Sequence, residues 1–311
     1  MRPSIGIGLV MLLAAGPLVT GALPAGATGV ETSGVDAAVA GNNAFACRLF
    51  REPRREEGNL LLAPLSIRTA LAMTYGGARS QTATQMEEAL CLGASGEAVH
   101  QSLNSLSRSL LGDPGGGGNR MTIANALWGH RGCDFRAEFL DLATRSYDAY
   151  VAEVDFAGAG ETLSMLILLP EEPGGLPRLE EALTAEFLEE RLAGLREQEL
   201  MVFLPRFEAS SRFHLKQTLI SLGMKDAFCK GADFSGMTEY ERLFIDEVIP
   251  EAYVKVDEHG TEAAGGTVVR MKKGGRAFRA THPFLFLIRD RVSGAILFIG
   301  RLTDPTRVPG K

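Results

Sequence analysis

The chain has 311 residues and a mass of 33.3 kDa, and 45% of its residues are hydrophobic and 23% charged. This balance excludes collagen-like, coiled-coil and wholly disordered proteins and indicates a globular protein with a sizeable core. The net charge of -6 and the isoelectric point near 5.5 argue against a general affinity for nucleic acid or anionic membranes.

The first 27 residues have the features of a secretory signal peptide. Arg2 supplies a positive charge, residues 5–23 are apolar and rich in glycine, and residues 25–27 form a small-residue cleavage site. A membrane anchor is the alternative, but Gly16 and Pro17 interrupt the run and no second apolar stretch of about 18 residues follows. We therefore predict a signal peptide over 1–27 and a secreted protein without membrane contact.

The first half of the remaining chain mixes helical stripes with short apolar runs. Ser66 is the predicted N-cap of the second helix, and Thr82 and Gln85 have capping-box spacing in the third. Predicted helices cover residues 35–50, 66–76, 97–111, 135–149 and 179–195, with another that begins at Ser80; predicted strands cover residues 60–63, 121–128, 150–156 and 163–169.

The second half consists mainly of strands. Predicted strands cover residues 200–207, 243–257, 278–281, 284–289 and 295–302, with one helix near residues 213–222. Helices and strands do not alternate regularly, and no internal repeat or linker divides the chain. We therefore predict a single α+β domain over residues 28–311.

The sequence contains no pattern that predicts catalysis or metal binding. The four cysteines have neither CxxC nor zinc spacing, and although three pairings are arithmetically possible, scattered cysteines in a large core are more often free. They are Cys47, Cys91, Cys133 and Cys229. The glycine run at 115–118 lacks the Gly-Lys-Ser/Thr of a phosphate loop, and neither G-x-S-x-G nor H-E-x-x-H occurs. We expect no enzymatic activity, cofactor, metal or assigned disulfide.

One segment between two strand-rich regions has an unusual composition. Residues 258–269 read EHGTEAAGGTVV, which are small and uncharged after Glu262 and β-branched at the end. A flexible linker is one interpretation. The other is a strand held in reserve, because small side chains pass between strands without clashes and Thr267, Val268 and Val269 favour β-structure.

The order of short motifs along the whole chain resembles the serpin family. The motifs are NLLLAPLS (59–66), TATQM (82–86), IANALW (123–128), LSMLILLP (163–170), FLPRF (203–207), LGM (222–224), ADFSG (232–236), the segment above, HPFLF (282–286) and FIGR (298–301). The resemblance implies an α+β fold with N-terminal helices, a large mixed sheet, C-terminal strands and an exposed reactive-centre loop. It also implies a monomeric suicide inhibitor of serine proteases.

In the implied mechanism, a protease cleaves the loop and forms an acyl-enzyme, and the loop then enters the large sheet as a new strand. About a dozen residues at ~3.3 Å each give a strand about 40 Å long, which explains how far the protease is carried. The implied hinge of the loop consists of Glu258, Gly260, Thr261, Ala263, Ala264, Gly265, Gly266 and Thr267. Arg206 occupies the position of a basic partner for Glu258 at the top of the sheet.

The implied cleavage site lies near residues 272–274. Counting from Thr261 places it at Gly274, but the loop is about two residues short, so the position is defined only within about two residues. Lys272 and Lys273 precede Gly274, and a lysine in a loop built for cleavage favours a trypsin-like protease with an acidic pocket. We predict cleavage after Lys273, with Lys272 as the second choice.

The chain departs from the family pattern in two ways. Between Phe156 and Leu163 about a hundred residues are missing, including one wall of the insertion slot. Behind that slot, the family's serine position is Ala63 and its histidine position is Pro250, although Ser66 is retained. The alternative function is therefore a non-inhibitory or degenerate serpin-fold binding protein that proteases cleave as a simple substrate.

Overall fold

The computed structural model describes residues 5–14, 32–52, 58–94, 96–111, 122–128, 135–147, 163–195, 201–212, 214–239, 242–256 and 277–306. The helices are α1 (Thr32–Arg51), α2 (Pro64–Tyr75), α3 (Ser80–Ala89), α4 (Glu97–Leu111), α5 (Ala137–Tyr147), α6 (Leu176–Ala182), α7 (Ala185–Ala193) and α8 (Lys216–Ser221), with a 3-10 turn at Asp226–Phe228. The strands are β1 (Ile5–Ala14), β2 (Leu60–Leu62), β3 (Thr122–Trp128), β4 (Leu163–Leu168), β5 (Met201–Phe203), β6 (Phe207–Arg212), β7 (Ile245–Val256), β8 (Ala277–Arg279), β9 (Phe284–Asp290) and β10 (Ile296–Leu302).

The described strands form three sheets. Sheet A has the order β3-β1-β7-β6, sheet B the order β2-β10-β9-β4, and sheet C pairs β5 with β8. Sheet A is mixed, because β1 runs parallel to β7 while the β1–β3 and β6–β7 pairs are antiparallel. The predicted α+β class with a mixed sheet is confirmed.

The core lies between sheets A and B and extends under the central helix α2. All seven residues of β10 and all twelve of α2 are buried. Across the two sheets, the ring of Phe207 lies 5.1 Å from that of Phe286 between centroids. Burial on both faces explains why β10 begins with a continuous apolar run, Ile296–Ile299, rather than an alternating pattern.

Two predicted N-terminal caps are wrong. Helix α2 begins at Pro64, a residue whose fixed φ suits the first turn, and Ser66 lies buried inside the helix. In α3, the Thr82 hydroxyl accepts from the Asp233 N–H (2.9 Å) and the Gln85 carbonyl oxygen accepts from the Asp226 N–H (2.7 Å). These two side chains therefore hold α3 against the segment that contains the 3-10 turn.

Two predicted elements are each divided in two. The stripe over residues 179–195 forms α6 and α7, because the Thr184 hydroxyl accepts from the Phe187 N–H (3.1 Å) and starts a new helix. The strand predicted over residues 200–207 ends at Phe203, and a second strand begins at Phe207. The predicted strand at 150–156 lies outside the described residues.

The N-terminal segment forms part of sheet A in the 311-residue chain. Residues Ile5–Ala14 form β1, whereas the sequence assigned residues 1–27 to a leader outside the folded domain. This strand belongs to the chain that still carries its first 27 residues, and cleavage after residue 27 stays a prediction. None of the described helices is both long and apolar enough to cross a bilayer.

Candidate functional site

The candidate site is built around β7 and β8, the two strands that flank residues 257–276, where the sequence predicts the reactive-centre loop. On the first side, β7 ends at Val256, which pairs with Phe207, the first residue of β6. Arg206 directly precedes Phe207 and is exposed. The register therefore places Arg206 beside the C-terminal end of β7, at the end of sheet A where residue 257 follows.

The returning strand is attached to sheet C. Strand β8 pairs in parallel with β5, and the Ala280 N–H donates to the Phe203 carbonyl (2.9 Å). The Arg279 guanidinium carbon lies 3.8 Å from the centroid of the Phe203 ring, which is the distance of a cation–π contact. Three residues after Arg279, His282 Nε2 lies 2.8 Å from the Pro170 carbonyl oxygen.

One continuous stretch of chain, residues 201–212, therefore contacts both ends of the loop. Its first strand, β5, pairs with β8, and its second strand, β6, pairs with β7. Only residues 204–206 separate the two strands. A cut within residues 257–276 would leave one part of the loop attached to sheet A and the other attached to sheet C.

The resemblance predicts an insertion slot in the large sheet, which here is sheet A. At the centre of this sheet, β1 lies between β3 and β7, and helix α2 packs behind β1 and β3. The positions tied to the slot by resemblance are all buried: Ala63 directly precedes α2, Ser66 lies in its first turn, and Pro250 lies in β7. Pro250 lies one residue beyond the last pair of β6 and β7, so its missing N–H interrupts no bond to β6.

Most of the residues named from sequence for the hinge and the cleavage site lie outside the described residues. This holds for Glu258, for residues 260–267 and for Lys272, Lys273 and Gly274. Cys133 also lies outside them, whereas Cys47, Cys91 and Cys229 are free thiols. Within the described part of the chain, no three His, Cys, Asp or Glu side chains cluster as metal ligands would.

A surface cavity of about 170 Å³ was not anticipated from the sequence. It lies between α1, α7, β4 and β9, and its apolar wall includes Leu166, Leu188 and Leu192. Arg289 and Asn43 are among its polar lining residues. Asn43 is held in place, because its amide donates to the Gly294 carbonyl (3.1 Å) and accepts from the Ile296 N–H (2.9 Å).

Arg289 gives the cavity a positive charge at partial burial. Burial lowers the pKa of its guanidinium, and the neighbouring carboxylate of Asp290 acts in the opposite direction. Asp290 itself accepts from the backbone N–H and the hydroxyl of Ser293. No motif in the sequence predicts the cavity, because Arg289 meets Asn43 and Leu188 there, and these residues come from elements that are far apart in the chain.

The comparisons with known proteins agree with this geometry. The family model described as "Serpin (serine protease inhibitor)" matches residues 40–162 and 159–305. Serpin B8 of Bos taurus is 30% identical over 377 positions, which cover 87% of this chain and 100% of the relative. The leukocyte elastase inhibitor of Bos taurus is 30% identical over 376 positions, which cover 86% and 99%.

The chain belongs to the serpin family. Among solved structures, human thyroxine-binding globulin in complex with thyroxine has a similar fold, with a TM-score of 0.77, 20% identity and coverage of 88% of this chain and 100% of that chain. At this identity, the likeness shows the fold alone.

The comparisons also show that this chain is shorter than the serpin relatives that it matches over nearly their full length. In the alignment with Serpin B8, 87% of 311 residues, about 271, are spread over 377 positions, so about a hundred positions have no counterpart here. The two matches to the family model meet at residues 159–162. This is the interval between Phe156 and Leu163 in which the sequence predicted a deletion.

Proposed function

We propose that this serpin is secreted, acts as a monomer and inhibits a trypsin-like serine protease through cleavage and insertion of the loop at residues 257–276. The observation that carries the proposal is the attachment of the two ends of this loop to different sheets by residues 201–212. A cut would free the hinge part to move while the part after the cut stays with β8. The small residues from Ala263 to Gly266 would allow that hinge part to enter sheet A.

The position of Arg206 supports the proposed hinge. Glu258 follows Val256 by two residues, and Arg206 precedes its partner Phe207 by one. A carboxylate at Glu258 would therefore lie near a guanidinium where the loop leaves the sheet. An exposed ion pair contributes only about 0.2–1 kcal/mol, so its proposed role is to orient the hinge rather than to stabilise the fold.

Incubation with trypsin tests the inhibitory mechanism. The protein collected from culture medium should form a complex with trypsin that survives SDS, and N-terminal sequencing should find that it starts at residue 28. Gly265→Glu would place a charged side chain in the inserting part, so it should be cleaved without forming the complex. The matched change Gly275→Glu lies beyond the predicted cleavage site and should preserve complex formation.

Substitution of the two lysines tests which peptide bond is cleaved. Mass spectrometry of the fragment released from the complex should show a cut after Lys273. Lys273→Ala should abolish that cut, whereas Lys272→Ala should leave it in place. Clean cleavage of the unmodified protein without a complex, and without a rise in melting temperature, would contradict inhibition by loop insertion.

The cavity favours one alternative, a serpin-fold protein that binds a small molecule. An apolar wall with the half-buried guanidinium of Arg289 suits an apolar molecule that carries an acid group, and Glu189, which also lines the cavity, is exposed. Thyroxine is a suitable probe, since human thyroxine-binding globulin has the same fold. Binding that Arg289→Ala weakens more than tenfold, and that the change Lys230→Ala at an exposed residue leaves unaltered, would support this function. No binding at the solubility limit of thyroxine would exclude this probe as the ligand.

A further inference from the structure

Strand β1 lies inside sheet A and pairs with a neighbouring strand on each side. Residues 6–12 pair antiparallel with β3, from Gly6 opposite Trp128 to Leu12 opposite Thr122. On the other side, Ile5–Ala14 pairs in parallel with β7, from Ile245 to Lys255. In the described sheet, β3 pairs only with β1. The hydrogen bonds of β1 therefore connect β3 to the other strands of sheet A.

The sequence of β1 suits this place as well as it suits a leader. Its residues are all apolar or glycine, and no charged side chain interrupts the run. A continuous apolar run is typical of a strand in the interior of a sheet, and helix α2 packs behind β1. A leader also needs an apolar run, so the composition suits both structures.

We propose that Ile5–Ala14 is a removable strand of sheet A, and that loss of residues 1–27 opens a slot one strand wide between β3 and β7. Neighbouring strands lie about 4.8 Å apart, so β3 and β7 on either side of β1 are separated by about 10 Å, which is room for one strand. The proposal rests on the proposed function for its consequence: the slot is the place that the cleaved loop would enter.

Processing of the leader would then also activate the inhibitor. A signal peptidase hydrolyses the peptide bond between Ala27 and Thr28, with water supplying the hydroxyl to the Ala27 carbonyl and the proton to the Thr28 nitrogen. Before this cut, β1 and the loop compete for one slot, and β1 is already hydrogen-bonded on both edges. After it, β3 and β7 each have an unpaired edge, and a strand entering from the end of β7 runs antiparallel to β7.

Hydrogen exchange tests the slot without reference to any protease. The full chain of residues 1–311, made in a cytosol so that the leader is retained, is compared with residues 28–311. Backbone amides of residues 122–128 should exchange more than tenfold faster in the shorter chain, because β3 loses its partner. Amides of β9 and β10 in sheet B should be unchanged. Equal protection of residues 122–128 in the two chains would overturn the proposal, as would failure of residues 28–311 to fold.

A matched pair of variants in the full chain provides a second measurement. Leu9→Pro with Met11→Pro removes two N–H donors from a strand that is paired on both edges, so residues 122–128 should lose protection as they do in the shorter chain. Leu18→Pro with Thr20→Pro makes the same change beyond the end of β1 and should preserve protection. The proposal is wrong if both pairs of substitutions have the same effect.

Trypsin then separates this inference from the proposed function. Residues 28–311 should form the SDS-stable complex, and the full chain should form it more than tenfold more slowly, since the open slot is rarely populated. Equal rates for the two chains would overturn the role of β1 in activation. If neither chain forms the complex, the proposed inhibition fails, while hydrogen exchange still decides whether β1 is removable.

Discussion

Arg301 and Glu180 form a buried ion pair in which Nη1 of Arg301 lies 3.1 Å from Oε1 of Glu180, and both side chains are 5% exposed. Arg301 Nε also donates to the Gly58 carbonyl (2.7 Å). The pair joins the end of β10 to α6, which are 121 residues apart in sequence. Because the charges are shielded from water, each depends on the other for compensation.

Removal of the carboxylate should therefore destabilise the protein strongly. Glu180→Leu leaves the Arg301 charge buried without its carboxylate partner and should lower the free energy of unfolding by about 3–5 kcal/mol. Glu180→Gln retains a hydrogen-bond acceptor and should cost less. Glu190→Leu, on the exposed side of α7, provides the control in urea denaturation. A Glu180→Leu variant as stable as the control would show that the pair contributes no net stabilisation.

Gly300 is a position where any side chain should be excluded. A Cβ atom there would lie 2.6 Å from the Leu60 carbonyl oxygen and 2.6 Å from Cζ of Phe286. Gly300→Ala should therefore push β2 away from β10 and lower the free energy of unfolding by about 1–3 kcal/mol. At Gly174 the same Cβ would meet no atom within 4 Å, so Gly174→Ala should change it by less than about 0.5 kcal/mol. Equal urea midpoints for the two variants would contradict this packing.

His100 should make the protein less stable in mild acid. Burial lowers the pKa of its imidazole below the ordinary value of 6.5, and the Glu97 carboxylate opposes this shift. The unfolded chain therefore takes up a proton near pH 6.5 that the folded protein does not yet bind, so the free energy of unfolding falls as the pH drops below 6.5. His100→Gln should flatten this dependence between pH 7 and pH 5. Equal slopes in the unmodified protein and in His100→Gln would contradict the prediction.

Cys47 and Cys229 should differ widely in reactivity. Burial raises the pKa of the Cys47 thiol to about 12, with Glu186 acting in the same direction and Arg51 in the opposite one. At pH 8 only about one Cys47 in ten thousand is then a thiolate, which is the reactive form. Iodoacetamide followed by peptide mass spectrometry should find the exposed Cys229 modified and Cys47 unmodified until urea is added. Equal labelling of both cysteines in the folded protein would disprove the burial of Cys47.

The positions of most helices and strands could be predicted from the sequence because their buried faces determine the spacing of apolar residues. The helix at residues 97–111 was predicted with the bounds that it has in the structure. The break at Thr184 could not be predicted from the stripe, because α6 and α7 both contribute apolar residues at helical spacing. The break after Phe203 was missed because the apolar residues Leu204 and Phe207 extend the apolar pattern of β5 across it, although β5 and β6 belong to different sheets.

The N-terminal segment shows the same limit in another form. An apolar run of this length satisfies the requirements of a leader and also those of a strand between two neighbours. Hydropathy measures the preference of a segment for a non-aqueous environment and does not name the neighbour that provides it. Only the pairing of Leu9 with Pro250 on one side and with Asn125 on the other distinguishes the two structures.

By itself, the sequence determined the α+β class and the serpin family, because each depends on the order and spacing of residues along the chain. The tertiary structure decided which distant residues meet: Phe207 with Val256 at the start of the loop, Arg301 with Glu180 in the core, and Asn43 with Arg289 around the cavity. Apolar patterning specifies that a face is buried, whereas the partner of that face is selected only when the sheets and helices pack together.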